Sequence, residues 1–398
     1  MDWRRLRNDM VSITVAAVVS ATLVSVCQGI LDGARASTTT TGRIDSRPAA
    51  THAIVGTCTV QQVVQGWSLR RLARQTVVVP VDENHVGAVA TEVAAGVGGV
   101  ILFGTSAPAG LGADLAGLLR RAPHGIAPVV MTDEEGGVVQ RMANLVGTMP
   151  SARRMAATMT TGQVRHLARR VGGRMHDAHV TMNLAPVLDL DDRAGPSATN
   201  PDGTRSFSID PAVARAYGLA FARGMRAAGV VPVVKHFPGL GHATTNPDDA
   251  PAWTQPWSVL KERGLRPFRA AVRAGLPAVM MTTARVPGLT RLPAALSGRV
   301  VHTVLRERLG FHGLVVTDSL SGAAVSGAGY SVARAAARAL AAGNDMVLFN
   351  AAPAHVAAQT HRIVRSVVRA VHTGRLPLQR LRNTAVHVLK AKQAPVCG

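Results

Sequence analysis

Several short apolar runs of this chain end in groups that can do chemistry. Asp318 closes Leu314-Val315-Val316-Thr317, and Asp133-Glu134-Glu135-Gly136-Gly137 follows residues 128–132. Asp189 comes shortly after residues 181–187, Lys235-His236-Phe237-Pro238-Gly239 closes another run, and Asn350 closes the last. A lone carboxylate such as Asp318 suits a nucleophile, and its bland alternative is the N-cap of a following helix. Lys235 suits a Schiff-base nucleophile, the runner-up chemistry. Lys235 and His236 are adjacent, and neighbours on a regular strand point to opposite faces, so a bulge or bend is predicted if both serve one site. No His/Cys cluster has metal-ligand spacing and no cofactor motif occurs, so neither metal nor cofactor is expected.

These groups need elements that bring them together. Apolar, β-branched runs at 76–80, 99–103, 128–132, 181–187, 230–235, 278–282, 313–317 and 345–349 read as eight strands buried on both faces. Between them lie helical patterns such as 110–121, 211–228, 259–274, 300–309 and 331–342, and a long helical tail runs from 353 to about 392. Ala228-Gly229, Ala274-Gly275 and Ala342-Gly343 place a helix-ending glycine directly before a strand. Eight strand–helix units predict an α/β fold, a (β/α)8 TIM barrel forming a single catalytic domain. An open doubly wound sheet is the alternative, disfavoured because no Gly-x-Gly-x-x-Gly turn follows the first strand. In a barrel, the C-terminal ends of the strands form one rim, which is where the chemical groups above fall.

The 398 residues suit one barrel with a leader, and 47% hydrophobic with 17% charged residues is a globular composition. The formal charge of +21 is carried mostly by arginines in Ala/Leu/Val-rich helical stretches, for example Arg120-Arg121, Arg153-Arg154, Arg169-Arg170 and Arg365/Arg369. They read as scattered over a solvated surface rather than as a stripe interleaved with aromatics, so no nucleic-acid partner is expected. Arg4, Arg5 and Arg7 precede an uncharged run over 10–31, followed by Ala34-Arg35-Ala36. Residues 1–36 therefore read as a signal peptide or an N-terminal membrane anchor. Residues 37–57 read as a flexible spacer, and residues 58–398 as the barrel domain. Outside the cytoplasm, Cys58 and Cys397 would be free to form a disulfide joining the chain ends.

The order of motifs resembles the family 3 glycoside hydrolases, and in particular the single-barrel β-N-acetylhexosaminidase branch. The resemblance rests on Gly98-Gly99-Val100-Ile101-Leu102-Phe103, the segment from Thr132 through Asp133-Glu134-Glu135-Gly136-Gly137 to Arg141, and Asn183-Leu184-Ala185-Pro186-Val187-Leu188-Asp189. Thr204-Arg205-Ser206-Phe207, Lys235-His236-Phe237-Pro238-Gly239 and Gly313 to Leu320 complete it. It implies that Asp318 is the nucleophile of a retaining reaction through a covalent glycosyl-Asp. It also implies that Asp133, Arg205, Lys235 and His236 hold the hydroxyls of the sugar, with Asp189 supporting them.

The chain departs from that pattern in the loop after Lys235-His236-Phe237-Pro238-Gly239. Where the hexosaminidase branch carries Asp-Ser-His, with the histidine as acid/base, this chain has Asn246-Pro247-Asp248. Asp248 is the expected acid/base, with His242 and Asp249 as alternatives from the same loop. The resemblance thus implies a hydrolase exo-acting on cell-wall-derived or related amino sugars, and the N-terminal segment would place it outside the cytoplasm, secreted or at the cell surface. It would be a monomer whose partner is its carbohydrate substrate. The alternatives are β-glucosidase-type specificity in the same family, or a catalytically degenerate glycan-binding barrel.

Overall fold

The computed structural model describes residues 59–394, so the leader, the spacer, Cys58 and Cys397 lie outside the described residues. Eight strands, Val77–Asp82, Gly99–Phe103, Val129–Thr132, Met182–Asn183, Val231–Phe237, Ala278–Met281, Leu314–Thr317 and Val347–Leu348, lie parallel in one sheet. The eighth pairs with the first through Val77 with Val347 and Val78 with Leu348. Val316 bridges to Met346, so the seventh and eighth are also neighbours and the sheet closes into a barrel. The expected (β/α)8 barrel is the observed fold.

The pleat explains why the strands read as unbroken apolar runs. Val78, Ile101, Met131, Val233, Met280 and Val316 point into the barrel and pack on one another. Their neighbours Val77, Val79, Val100, Leu102 and Val130 point outward beneath the helices. Each fully buried side chain of this size contributes roughly 1.5–3 kcal/mol, so both faces hold the sheet. The helices carry one apolar stripe each. In Thr161–Asp177, begun by a capping box between Thr160 and Gln163, the buried set is Val164, Leu167, Ala168, Val171, Gly172 and Met175. It packs on Pro211–Ala227 so closely that a side chain at Gly224 would meet the Arg165 carbonyl at 2.4 Å.

Three sequence expectations change in detail. Regular pairing of the fourth strand shrinks from 181–187 to Met182–Asn183. Pro186 has no N–H to donate, and beyond Asn183 the chain exchanges isolated hydrogen bonds with its neighbours, such as Leu188 N to Lys235 O at 2.6 Å. The helical tail is two helices, Pro353–His372 and Leu378–Ala391, broken where Gly374 takes φ +72° and Pro377 begins the second. The 259–274 and 300–309 stretches contain wider π-type turns at Leu260–Gly264 and Arg299–Arg308. In the first, Pro267 has no N–H to return to Arg263. The glycines before strands behave as expected: Gly229, Gly275 and Gly343 have φ of +81°, +64° and +121°.

Candidate active site

The third strand delivers its acidic residues to both sides of the backbone in turn. Asp133 and Glu135 face a pocket of about 390 Å³ at the C-terminal rim. Glu134, between them, turns away and accepts from the backbone N–H groups of Arg141 and Met142 and from Gln140 Nε2. It fixes the short hairpin Glu134–Gly136 against Val139–Gln140, whose turn needs Gly136 at φ +101° because a Cβ there would lie 2.2 Å from the Pro150 carbonyl.

The fifth strand supplies the cations. Its register against the sixth shifts between Val234 and Phe237, the irregularity that the adjacent Lys235 and His236 predicted, and the peptide joining them is cis. Both side chains line the same pocket. Lys235 Nζ lies 2.5 Å from Asp133 Oδ1 and 2.6 Å from Glu135 Oε1. Arg205 grips Glu135 with both arms of its fork, Nε to Oε2 at 2.8 Å and Nη2 to Oε1 at 2.8 Å. Burial alone would neutralise these groups. In Glu135 it is outweighed by Arg205 and Lys235, which hold the carboxyl well below its usual range. In Lys235 it is outweighed by Asp133 and then Glu135, so its ammonium is held more firmly than in water. A Schiff-base nucleophile must lose that proton, and the ion cluster opposes the loss, so the lyase reading has no support here.

His236 rests on Asp189. Its Nδ1 lies 2.6 Å from Asp189 Oδ2, its backbone N–H donates to the same oxygen at 3.0 Å, and Leu240 N–H donates to Oδ1 at 2.7 Å. Burial disfavours the imidazolium, and the Asp189 carboxylate more than compensates, raising the histidine pKa. Asp202 stands 3.9 Å from the same Nδ1 with neither carboxyl oxygen hydrogen-bonded. Burial and then the charge of Asp189 push its carboxyl well above the usual range. Asp189, Asp202 and His236 offer ligand atoms within 4.8 Å of one another, as do Asp191, Asp192 and His242. In the first group the short contact between Asp189 and His236 is a hydrogen bond that orients the ring.

Asp318 and Asp248 line the same pocket. Asp318 is not a helix N-cap: the next helix, Ala323–Ser326, starts from Gly322, and the carboxylate accepts from its neighbour Ser319 N–H at 2.7 Å. Asp248 rides on the loop after the fifth strand, which is pinned to the loop after the seventh by Ala323 N–H to Asp248 O at 3.0 Å and Ala324 N–H to Pro247 O at 2.9 Å. Burial first, and then the charge of Asp318, push the Asp248 carboxyl up to about 7. The two alternatives from this loop are engaged elsewhere. His242 Nε2 is 3.0 Å from Asp192 and Asp249 accepts from Asn246, and neither lines the pocket. Arg285 lies over Trp253, 5.7 Å from the ring centre, and is likewise outside it.

Every residue expected at the site, Asp133, Arg205, Lys235, His236, Asp248 and Asp318, thus lines one pocket. Sequence reasoning missed Glu135 and Arg141, which also line the pocket, and Asp202, which stands beside His236. Glu135 was findable, because it stands two residues after Asp133 and so on the same face of an extended chain. Asp202, in an irregular loop, left no such signal.

The family described as "Glycosyl hydrolase family 3 N terminal domain" matches residues 71–391. Beta-hexosaminidase LpqI of Mycobacterium tuberculosis is 38% identical over 277 residues, covering 68% of this chain and 69% of that protein. The solved structure of M. tuberculosis LpqI superposes with a TM-score of 0.76 at 34% identity, covering 85% of this chain and 97% of the other. That of a beta-N-acetylhexosaminidase from Beutenbergia cavernae gives 0.74 at 32% identity, covering 82% and 99%.

Proposed function

Since this chain belongs to glycoside hydrolase family 3 and is an O-glycosyl hydrolase, we propose that it is a retaining, exo-acting β-N-acetylhexosaminidase in which Asp318 is the nucleophile and Asp248 the acid/base. The observation that carries the proposal is the pair itself: two carboxyls in one pocket, one of them held up to about 7 by burial and by the charge of the other.

The pair's coupling suits both halves of a double displacement. While Asp318 is an anion, its charge keeps the proton on Asp248, which then protonates the departing glycosidic oxygen as Asp318 attacks the anomeric carbon. Once Asp318 is esterified its charge is gone and one cause of the raised pKa goes with it. Asp248 then holds its charge more readily and can take the proton of the incoming water. The other charged residues of the pocket bind. Asp133, Glu135, Arg205 and Lys235 form an ion cluster whose charge-assisted bonds to sugar hydroxyls would fix the ring and strengthen as it distorts toward the oxocarbenium ion.

The specificity is tested with a panel of activated aryl β-glycosides. The N-acetylglucosaminide is expected to be the best substrate and to give the β-anomer first. Preference for the glucoside would move the enzyme to β-glucosidase-type specificity, and sugar binding without turnover of any member would favour a glycan-binding barrel.

We also propose export. The arginines at 4, 5 and 7 followed by the uncharged run over 10–31 support it. Fractionation of cells making the chain with a C-terminal tag is expected to recover it outside the cytoplasm, either in the medium or held at the cell surface. Recovery from the cytosol alone would refute the proposal.

A further inference from the structure

Six of the arginines that look scattered along the sequence come together in space. From Ser319 to the C-terminus, Asp345 is the only acidic side chain. It is buried against Arg306, Arg380 and His387. The surface made by this stretch is therefore basic and uncompensated. Helices Val332–Ala342 and Pro353–His372 lie side by side there, and a groove of about 1000 Å³ runs between them. Alanines 333, 337, 341 and 370 line it, and their small side chains keep it open. Arg334 and Arg338 stand on one side, Arg362, Arg365 and Arg369 on the other, and Arg375 at the end.

All six arginines are exposed, and among the described residues none is paired with a carboxylate. Positions 362, 365 and 369 share one helix face at axial steps of about 4.5 and 6 Å. Such a row of forks can be met by regularly spaced anionic groups along one extended chain.

We propose that this groove is a docking site for a linear polyphosphodiester, a flexible polyol or sugar chain carrying a phosphate in each repeat. Guanidinium forks take phosphate oxygens in pairs, and the lining contains six of them and no lysine. The concave shape suits a single strand laid between two rows of arginines better than a flat lipid surface. Bases need free aromatic faces on which to stack. The groove's one aromatic residue, Tyr330, is overlain by Arg334 at 5.9 Å from the ring centre. The loop after Asp318 leads from one site to the other. Ser319, Ser321 and Gly322 line the catalytic pocket, and Ala328, Gly329 and Tyr330 line the groove. A polymer held here would keep the hydrolase on an anionic matrix while the pocket works on sugar ends.

The test measures binding of the full chain to immobilised poly(glycerol phosphate) over a salt series. Arg338→Glu/Arg365→Glu/Arg369→Glu is compared with Arg120→Glu/Arg121→Glu/Arg169→Glu, which changes net charge equally but outside the groove. The groove variant is expected to bind about tenfold or more weakly and with a salt slope shallower by about two, and the control to stay within about threefold of the parent. Both should hydrolyse the aryl glycoside as the parent does, which reports on folding. If the triple variant fails that check, Arg365→Gln/Arg369→Gln is expected to weaken binding in the same direction. Equal loss in groove and control variants would overturn the proposal. So would absence of binding by the parent, or equally tight parental binding to phosphatidylglycerol vesicles or to poly(U).

Discussion

At the scale of single residues, the site separates groups that bind from groups that react. Glu135, Arg205 and Lys235 hold one another's charges, whereas Asp248 shares its surroundings with another carboxylate and is pushed the other way. A pH dependence follows. An acid catalyst with its pKa raised to about 7 is protonated below that value and loses its proton above it, so kcat/KM is expected to fall as pH rises through about 7. Asp248→Ala should remove that alkaline limb and slow turnover of an aryl glycoside by about a hundredfold or more, with added azide restoring activity by attacking the glycosyl-enzyme. His242→Ala should leave the profile in place, and Asp249→Asn should keep the limb but move it to lower pH, because the Asp249 charge also raises Asp248. If His242→Ala abolished the limb instead, the acid/base would be the histidine.

At the scale of elements, strand ends do the positioning, and their anchoring is testable away from the pocket. Asp345, just before the eighth strand, is fully buried and accepts from Arg306 at 2.5 Å and Arg380 at 3.0 Å, with His387 also at 3.0 Å. It also takes the N–H of Val315 in the seventh strand at 3.0 Å. Asp345→Ala leaves three part-buried cations and a buried N–H without a partner, a loss of about 3 kcal/mol, measurable by denaturant unfolding. Burial opposes its charge, but Arg306, His387 and Arg380 together hold its pKa below the unfolded value of 3.8. Its contribution is therefore present above about pH 4 and lost as pH falls through the depressed folded value, so the variant should also lose part of the acid dependence of stability. A stability change under about 1 kcal/mol would contradict the anchoring role.

Much of this scale was legible in the sequence. The Gly99–Phe103 strand has the predicted bounds because a short β-branched run between glycines has few other solutions. The fourth strand was overread because apolar composition does not show that Pro186 interrupts its pairing. Lys235, His236 and Asp318 could be found because each ends an apolar run and the rim of a barrel is where such ends meet. Glu135 could be found as well, since it stands two residues after Asp133 and so shares its face, whereas Asp202 lies in an irregular loop with no such period.

At the scale of the whole molecule, the sequence read the arginines of two helices as separate surface charges. Only the packing of Val332–Ala342 against Pro353–His372 puts them in one groove. That contact joins two successive helices across the eighth strand, and the period within either helix alone does not show it. The barrel thus carries two faces of different chemistry, a rim pocket where acids and cations are paired and a flank where cations are not.

The claim that joins these scales is that Asp318 attacks the sugar. Incubation with a fluorinated N-acetylglucosaminyl donor, followed by proteolysis and mass spectrometry, tests it directly. The expected result is a single covalent sugar on the peptide containing Asp318, absent in Asp318→Asn. A label on another residue, or turnover by Asp318→Asn at the parental rate, would contradict it.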